Sequence, residues 1–333
     1  MHDQQYNSRL AWKRTVKVFR RFYPSSFRPP CALTIGNFDG VHRGHQALLQ
    51  QLVQGARVRK LSSCALTFEP HPREFFAPKD APPRIQNMRD KLMALKSLHL
   101  NSIVIAEFNQ AFARLSPEEF VAEILVKQLN AQWILVGDDF CYGAKRGGNF
   151  ASLQIAGQEY GFEVTSISTV LQENERISSS LVRRALEQGD MELAKSLLGR
   201  PYSISGHVLY GKQLGRQLGF PTLNLAVSTL RPTYQPVTSG IFVAQVHGLS
   251  KKALPAVASL GVRPSVESSG QVLLETHVFD FNQSVYGKLV CVELLERLHE
   301  ERKYPNLKTL QAAIQHDAHM ARDYFHKKNM YVW

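Results

Sequence analysis

Two histidines three residues apart, His42 and His45, end the stretch Leu33 to His45, LTIGNFDGVHRGH. Imidazoles at this spacing share one helical face, so both can point at one phosphate. Gly36 and Gly40 let the backbone bend sharply, or approach a ligand where a Cβ would clash. An isolated H-x-x-H could be a metal pair, but on its own reads first as ordinary helix polarity. Here the same loop also runs into a helix start near His42 or Gly44, whose free N–H groups and positive dipole end form an anion site. Transfer at an α-phosphate needs donors aimed at the developing charge rather than a base, because the nucleophile can itself be a phosphate.

Three further clusters carry polar chemistry. In Arg176-Ile-Ser-Ser-Ser-Leu-Val-Arg183, Ser178 to Ser180 suit a helix N-cap, and the two arginines bracket the same turn with guanidinium donors for phosphate. Asp138 and Asp139 follow the apolar run WILVG, where they either bind a ribose or adenine or simply form a turn. The Lys145–Gly148 segment beyond them reads as a lid or an ordinary loop. Gly206 to Gln213 imitates a Walker A loop, but Gln213 follows Lys212 where Ser or Thr is required, and LGRQLGFPT cannot continue as a helix. What remains is a glycine-spaced loop (Gly211, Gly215, Gly219) ending in Phe-Pro-Thr-Leu-Asn, either a nucleotide wrap or a hairpin turn. Thr222 and Asn224 offer oxygens acceptable to magnesium. Glu275 interrupts the apolar strand VLLETHVFDF, either on a solvent face or held for acid–base work; by alternation it shares a face with Leu273, His277 and Phe279, which argues against full exposure. His277 and Asp280 read as structural.

The elements that position these residues alternate over the first half of the chain. CALTI, SCALTF, SIVIAEF and WILVG are short apolar strands, separated by helical stretches over 46–60, 87–98 and 117–129, with a Pro-rich loop over 69–83. That order predicts a parallel sheet covered on both faces, with ligands beyond the carboxyl ends of its strands, where Gly36–His45 and Gly137–Gly143 both fall. A helix over 191–198 ends at Gly199-Arg200-Pro201, and the texture then changes to short strands with Gly and Pro turns. This second half predicts an antiparallel barrel or sandwich. A last helix over 307–325 packs on it through Leu307, Leu310, Ile314 and Ala321. The expected division is a basic tail over 1–14, a first domain over 15–188, a linker over 189–200 and a second domain over 201–333.

Composition bounds the partners. The chain of 333 residues is long enough for two cores, and its net charge of +12 favours anionic partners. Nucleotide substrates satisfy that charge. A nucleic-acid partner is not expected, because an RNA-binding sheet would interleave aromatics with basic residues and part of the charge sits in the N-terminal segment. That segment holds Arg9, Lys13, Arg14, Lys17, Arg20 and Arg21 with one acid, Asp3, and reads as a frayed tail before the first strand rather than a transit peptide. No run of about 18 apolar residues predicts a membrane span. Four dispersed cysteines fit a reducing cytoplasm.

Together GNFDGVHRGH, VGDDFCYG, RISSSLVR, LGRQLGFPTLNL, RPSV and LLETHVFDF closely resemble the bacterial bifunctional riboflavin kinase/FAD synthetases, from about Cys31 to Phe325. The resemblance implies an α/β Rossmann-like nucleotidyltransferase domain followed by a six-stranded all-β flavokinase barrel with a C-terminal helix. It also implies riboflavin, FMN, FAD and ATP as substrates or products, with Mg2+ accompanying ATP. By that similarity His42 and His45 handle ATP phosphates in adenylyl transfer, and Gly36, Phe38, Asp139, Arg176, Ser179, Ser180 and Arg183 hold ATP. Gly211, Gly215, Thr222 and Asn224 bind the kinase nucleotide, Thr222 and Asn224 through magnesium, and Glu275 is the kinase base. The family usually has Thr where Ser180 and Ser265 stand and Asn where Ser259 stands. Two other readings compete: one active domain beside a regulatory flavin-binding module, and a basic nucleic-acid-binding protein.

Overall fold

The computed structural model describes residues 16–20, 22, 29–167, 171–172, 175–211, 215, 218–227, 236–262 and 272–331. The 1–14 tail, Lys212, Gln213 and the RPSV motif with Ser265 lie outside the described residues. Backbone contacts divide the chain into two compact units that interleave in sequence. The first takes residues up to 38, 44–81 and 93–171; the second takes 39–43, 82–92 and 172–333.

The first unit is built on six parallel strands: β1 (Lys17–Phe19), β2 (Cys31–Ile35), β3 (Ser62–Glu69), β4 (Ser102–Glu107), β5 (Ala131–Gly137) and β6 (Glu163–Ile167). Their order across the sheet is β1-β4-β3-β2-β5-β6, so the winding reverses between β2 and β5. The near-continuous burial of β2, with all five residues inside, is what a strand covered on both faces requires. One face meets Phe120, Val121, Ile124 and Leu125 of a helix over Phe120–Gln128 that is wound wider than an α-helix. α1 (Arg43–Val58) supplies buried Leu49, Leu52 and Ala56. Two sequence expectations change here. Lys17–Phe19, read as part of a frayed tail, pairs with Ser102–Val104 as an edge strand. The Pro-rich loop over 69–83 contains a short helix, α2 (Pro72–Phe76), because His71 Nδ1 caps it by accepting from Arg73 N and Glu74 reaches back to His71 N.

Helix α3 (Met88–Lys96) starts within residues 82–92 of the second unit and ends in the first; α4 (Ser179–Gln188) and α5 (Met191–Leu198) of the second unit precede a closed barrel. The barrel strands are β7 (Tyr202–Leu209), β8 (Leu223–Ala226), β9 (Gly240–His247), β10 (Leu254–Val262), β11 (Val272–Val278) and β12 (Leu289–His299), closing in the order β7-β8-β11-β10-β9-β12. Closure leaves no unpaired sheet edge. Strand β11 alternates buried and half-buried residues, so Leu274 and Thr276 enter the core while Glu275 and His277 face outward. The final helix, α6 (Leu307–Lys327), covers the outside of β9 and β10 with Ala318, Ala321 and Phe325 against Val243 and Val257. Leu307, expected in that stripe, is exposed instead, because the buried face begins at Asp317, whose carboxylate meets His299 Nε2 at 2.8 Å.

Candidate functional sites

The reversal between β2 and β5 is where an open α/β sheet leaves a crevice at its carboxyl edge. β2 passes directly into Gly36, whose N–H still bonds the Leu66 carbonyl of β3 at 3.0 Å. A Cβ on Gly36 would press on the Phe38 ring at 3.0 to 3.4 Å, so the glycine is what lets Phe38 fold back beneath the loop. Phe38 is 1% exposed, at φ +47°, and edge-on to the His45 ring at 5.3 Å. Phe38, expected among the residues that hold ATP, thus has its ring buried against His45, which lies in the first turn of α1. Beside β2, β5 ends at Gly137, and Phe140 N closes a turn onto the Gly137 carbonyl that leaves Asp138 and Asp139 exposed.

Sequence reasoning missed an aromatic shelf at the same edge. Phe68 at the end of β3, Phe75 and Phe76 of α2, and Phe108 and Phe112 after β4 contact one another with ring centroids 5.3 to 5.8 Å apart. Phe76 is 65% exposed, so the shelf presents an apolar ring face at the surface. The signal was the string FEPHPREFF, where two prolines and two adjacent phenylalanines break the loop pattern.

The loop bearing His42 belongs to the second unit, and a dense set of polar contacts fixes it there. The Asp39 carboxylate, almost wholly buried, accepts from Ile85 N and Gln86 N and pairs with Arg183 Nη2 at 2.6 Å. Arg183 also donates from Nε to the Pro83 carbonyl at 2.8 Å, and Ser179 Oγ donates to the Asp39 carbonyl at 2.9 Å. Of the group expected to hold ATP, Arg183 and Ser179 therefore grip the loop, while Arg176 and Ser180 are exposed to solvent. Ser178 caps α4 by accepting from Leu181 N. Burial lowers the His42 imidazole to about pKa 4, with Asp39 opposing and Arg176, Arg183 and Arg200 reinforcing the shift. At neutral pH His42 is uncharged, a hydrogen-bond donor rather than a cation.

On the barrel, register assembles the other cluster. Asn224 of β8 lies opposite Glu275 of β11, and Ser259 of β10 lies opposite Glu275 on its other side. All three share the outward face. Asn224 is 6% exposed, its Nδ2 bonds the Thr222 carbonyl at 3.3 Å, and its Oδ1 has no hydrogen-bond partner among the described residues. A buried carbonyl oxygen left in that condition, two residues from the Thr222 hydroxyl, is a fitting donor set for a hard cation. A Cβ at Gly211 would strike the Asn224 amide at 2.5 to 3.0 Å, and one at Gly215 would overlap the Phe220 carbonyl, so both glycines permit the loop's approach. His277 Nδ1 faces the Pro221 carbonyl at 2.9 Å and steadies the turn before Thr222. Glu301 was also missed: its carboxylate lies against Gly261, and the Glu275 charge together with burial, the larger cause, raises its pKa. Nothing in the segment EERKYP signalled that approach, which follows from where β12 ends.

Comparison with known proteins matches residues 25–181 to the family model for FAD synthetase and residues 198–325 to that for riboflavin kinase. A bifunctional riboflavin kinase/FMN adenylyltransferase of Escherichia coli (strain K12) is 43% identical over 312 residues, covering 93% of this chain and 98% of its own. One of the same description from Pseudomonas fluorescens is 42% identical over 292 residues, covering 88% and 92%. Among solved structures, one titled as a macrolide-efflux protein from Streptococcus pneumoniae superposes with a TM-score of 0.75 at 28% identity, covering 92% of this chain and 99% of that one. No helix among the described residues is long and apolar enough to cross a membrane.

Proposed function

Since the chain belongs to the bifunctional riboflavin kinase/FMN adenylyltransferase family and makes FMN and FAD from riboflavin and ATP, we propose which of its residues carry each half of that chemistry. In the kinase half, Glu275 takes the proton of the flavin 5′-hydroxyl as that oxygen attacks the γ-phosphorus of ATP, releasing ADP. Thr222 Oγ1 and Asn224 Oδ1 would hold magnesium, which spreads the charge of the phosphates, and the Gly211–Gly219 loop wraps the nucleotide. The observation that carries this reading is the register Asn224–Glu275–Ser259, which sets a carboxylate beside an orphaned buried oxygen on one barrel face.

In the adenylyl half, a phosphate oxygen of FMN attacks the α-phosphorus of ATP and pyrophosphate leaves. His42 and His45 donate to the α-phosphate oxygens as negative charge gathers there. Asp139, Arg176 and Ser180 would contribute polar contacts to ATP, with Gly36 leaving room for its approach. Ser179 and Arg183 act on the loop itself, and the aromatic shelf around Phe76 receives the flavin ring. The division 15–188 and 201–333 describes the two activities, and four free cysteines suit a cytoplasmic enzyme without disulfides. Incubating the protein with riboflavin, ATP and magnesium and separating the flavins over time tests the whole scheme. FMN appears first and FAD follows; FMN that never converts would leave only the kinase half.

A further inference from the structure

Arg200 entered above only as part of the boundary Gly199-Arg200-Pro201, with no chemical role, yet its guanidinium donates directly to the backbone of the His42 loop. Its Nη2 donates to the Gly40 carbonyl at 2.7 Å, and its Nη1 donates to the carbonyls of Val41 at 3.2 Å and Leu198 at 3.1 Å. With the Gln86 amide in the orientation its neighbours dictate, the Gln86 oxygen accepts from Arg200 Nη2 at 2.8 Å and its nitrogen donates to the Gly40 carbonyl at 3.3 Å. The guanidinium is half-buried, and burial pulls its pKa down.

The backbone it grips is strained. Gly40 has φ +82°, which a glycine accepts without cost. Val41 follows at φ +41°, a conformation that a β-branched residue adopts only when its surroundings impose it, at a cost of order 1–3 kcal/mol. A Cβ at Gly40 would sit 3.0 Å from Ile85, so the turn is also tightly enclosed. Drawing two successive carbonyls toward one planar fork helps hold this turn against its own preference. The next residue in the chain is His42.

We propose that Arg200 is a positioning residue for adenylyl transfer: by clamping the Gly40 and Val41 carbonyls it sets the direction of His42 toward the α-phosphate. Arg200 lies within the span that matches the riboflavin kinase model, residues 198–325. The kinase segment thus contributes a part to the FAD-forming half of the enzyme. This inference rests on the assignment of His42 to adenylyl transfer. Arg183 does related work from α4 through Asp39, but it grips a side chain and not the two carbonyls before His42.

The test uses the full chain with Arg200→Lys and Arg200→Gln, FMN and ATP as substrates for one activity, and riboflavin and ATP for the other. An ammonium keeps the charge but cannot bridge two carbonyls as a planar fork does. A shift of about 1 Å at a catalytic group costs on the order of 10²-fold in rate. Arg200→Lys is therefore expected to lower kcat for FMN adenylylation by about 10²-fold, with KM for ATP within about threefold and riboflavin phosphorylation within about twofold of wild type. Retention of adenylylation kcat within about threefold overturns the proposal, as does an equal fall in kinase turnover or a raised KM at unchanged kcat. If Arg200→Gln does not fold, Arg200→Lys alone decides. His42→Ala in parallel keeps the two levels apart: if that variant still forms FAD, the assignment of His42 fails, whereas retention in the Arg200 variants alone refutes only the clamp.

Discussion

At the scale of single residues, the two half-reactions ask for different chemistry and separate by mutation. Glu275→Gln keeps the size and one acceptor oxygen but cannot take a proton. A positioned base contributes about 10²–10⁴-fold, so riboflavin phosphorylation at saturating substrate should fall by that factor while adenylylation of supplied FMN stays near wild type. A variant that retains more than about a tenth of wild-type turnover, with only KM raised, would make Glu275 a flavin-binding group instead. For His42→Ala or His45→Ala the expected pattern is the reverse: FMN accumulates and FAD formation collapses. Each donor aimed at the α-phosphate contributes about 2.7–4 kcal/mol to the transition state, roughly 10²–10³ in rate. Kinase activity falling in step would contradict two separate sites. Because His42 is neutral at pH 7, its contribution is a directed N–H and not a net charge.

At the scale of elements, function depends on how closely α1 lies on its sheet, since that helix carries His45 in its first turn. Gly55 sits where α1 crosses Trp133 of β5, and a Cβ there would overlap the indole ring. Trp133 cannot yield freely: Nε1 donates to Thr165 Oγ1 at 2.9 Å and the Arg59 guanidinium lies 4.1 Å over the ring. On an unencumbered helix Gly→Ala gains about 1 kcal/mol. Here overpacking outweighs that gain, and Gly55→Ala is expected to destabilise the protein by about 1–3 kcal/mol. Urea unfolding of the two proteins side by side checks the sign; a higher midpoint for the variant would mean that helix and sheet are less tightly engaged than the contact indicates.

At the scale of the whole molecule, the two compact units fail to coincide with simple halves of the sequence. Helix α5, capped by Asp190, buries Met191, Ala194, Leu197 and Leu198 and packs on α4, β7 and β12, although all but its last residue precede the span matched by the kinase model. Arg297 of β12 donates to the Gln188 carbonyl and lies where any side chain on Gly189 would collide with it. A fragment starting at Gly199 should still phosphorylate riboflavin, because the closed barrel has its own core. One starting at Asp190 should melt several degrees higher, since each buried apolar side chain contributes about 1.5–3 kcal/mol. Equal melting temperatures would show that α5 adds nothing to the barrel.

The sequence by itself determined a great deal about this protein. Strand–helix alternation, with apolar runs short enough for buried parallel strands, specified the first fold. The change to Gly- and Pro-punctuated strands specified an antiparallel barrel or sandwich, which the closed strand order resolves as a barrel, and the candidate chemical residues stood in contiguous motifs such as GNFDGVHRGH and FPTLN. Local patterns suffice for these because each is a matter of neighbours in the chain. Tertiary structure decided what neighbours in space do. Phe38 lies beneath the loop because Gly36 makes room for it, and Arg183 is paired with Asp39, 144 residues away in sequence. Glu301 meets Gly261, and Arg200 holds carbonyls some 160 residues upstream. The same arginine or phenylalanine serves equally as ligand contact or as support, and only the three-dimensional fold determines which polar or aromatic partner lies within a few ångströms.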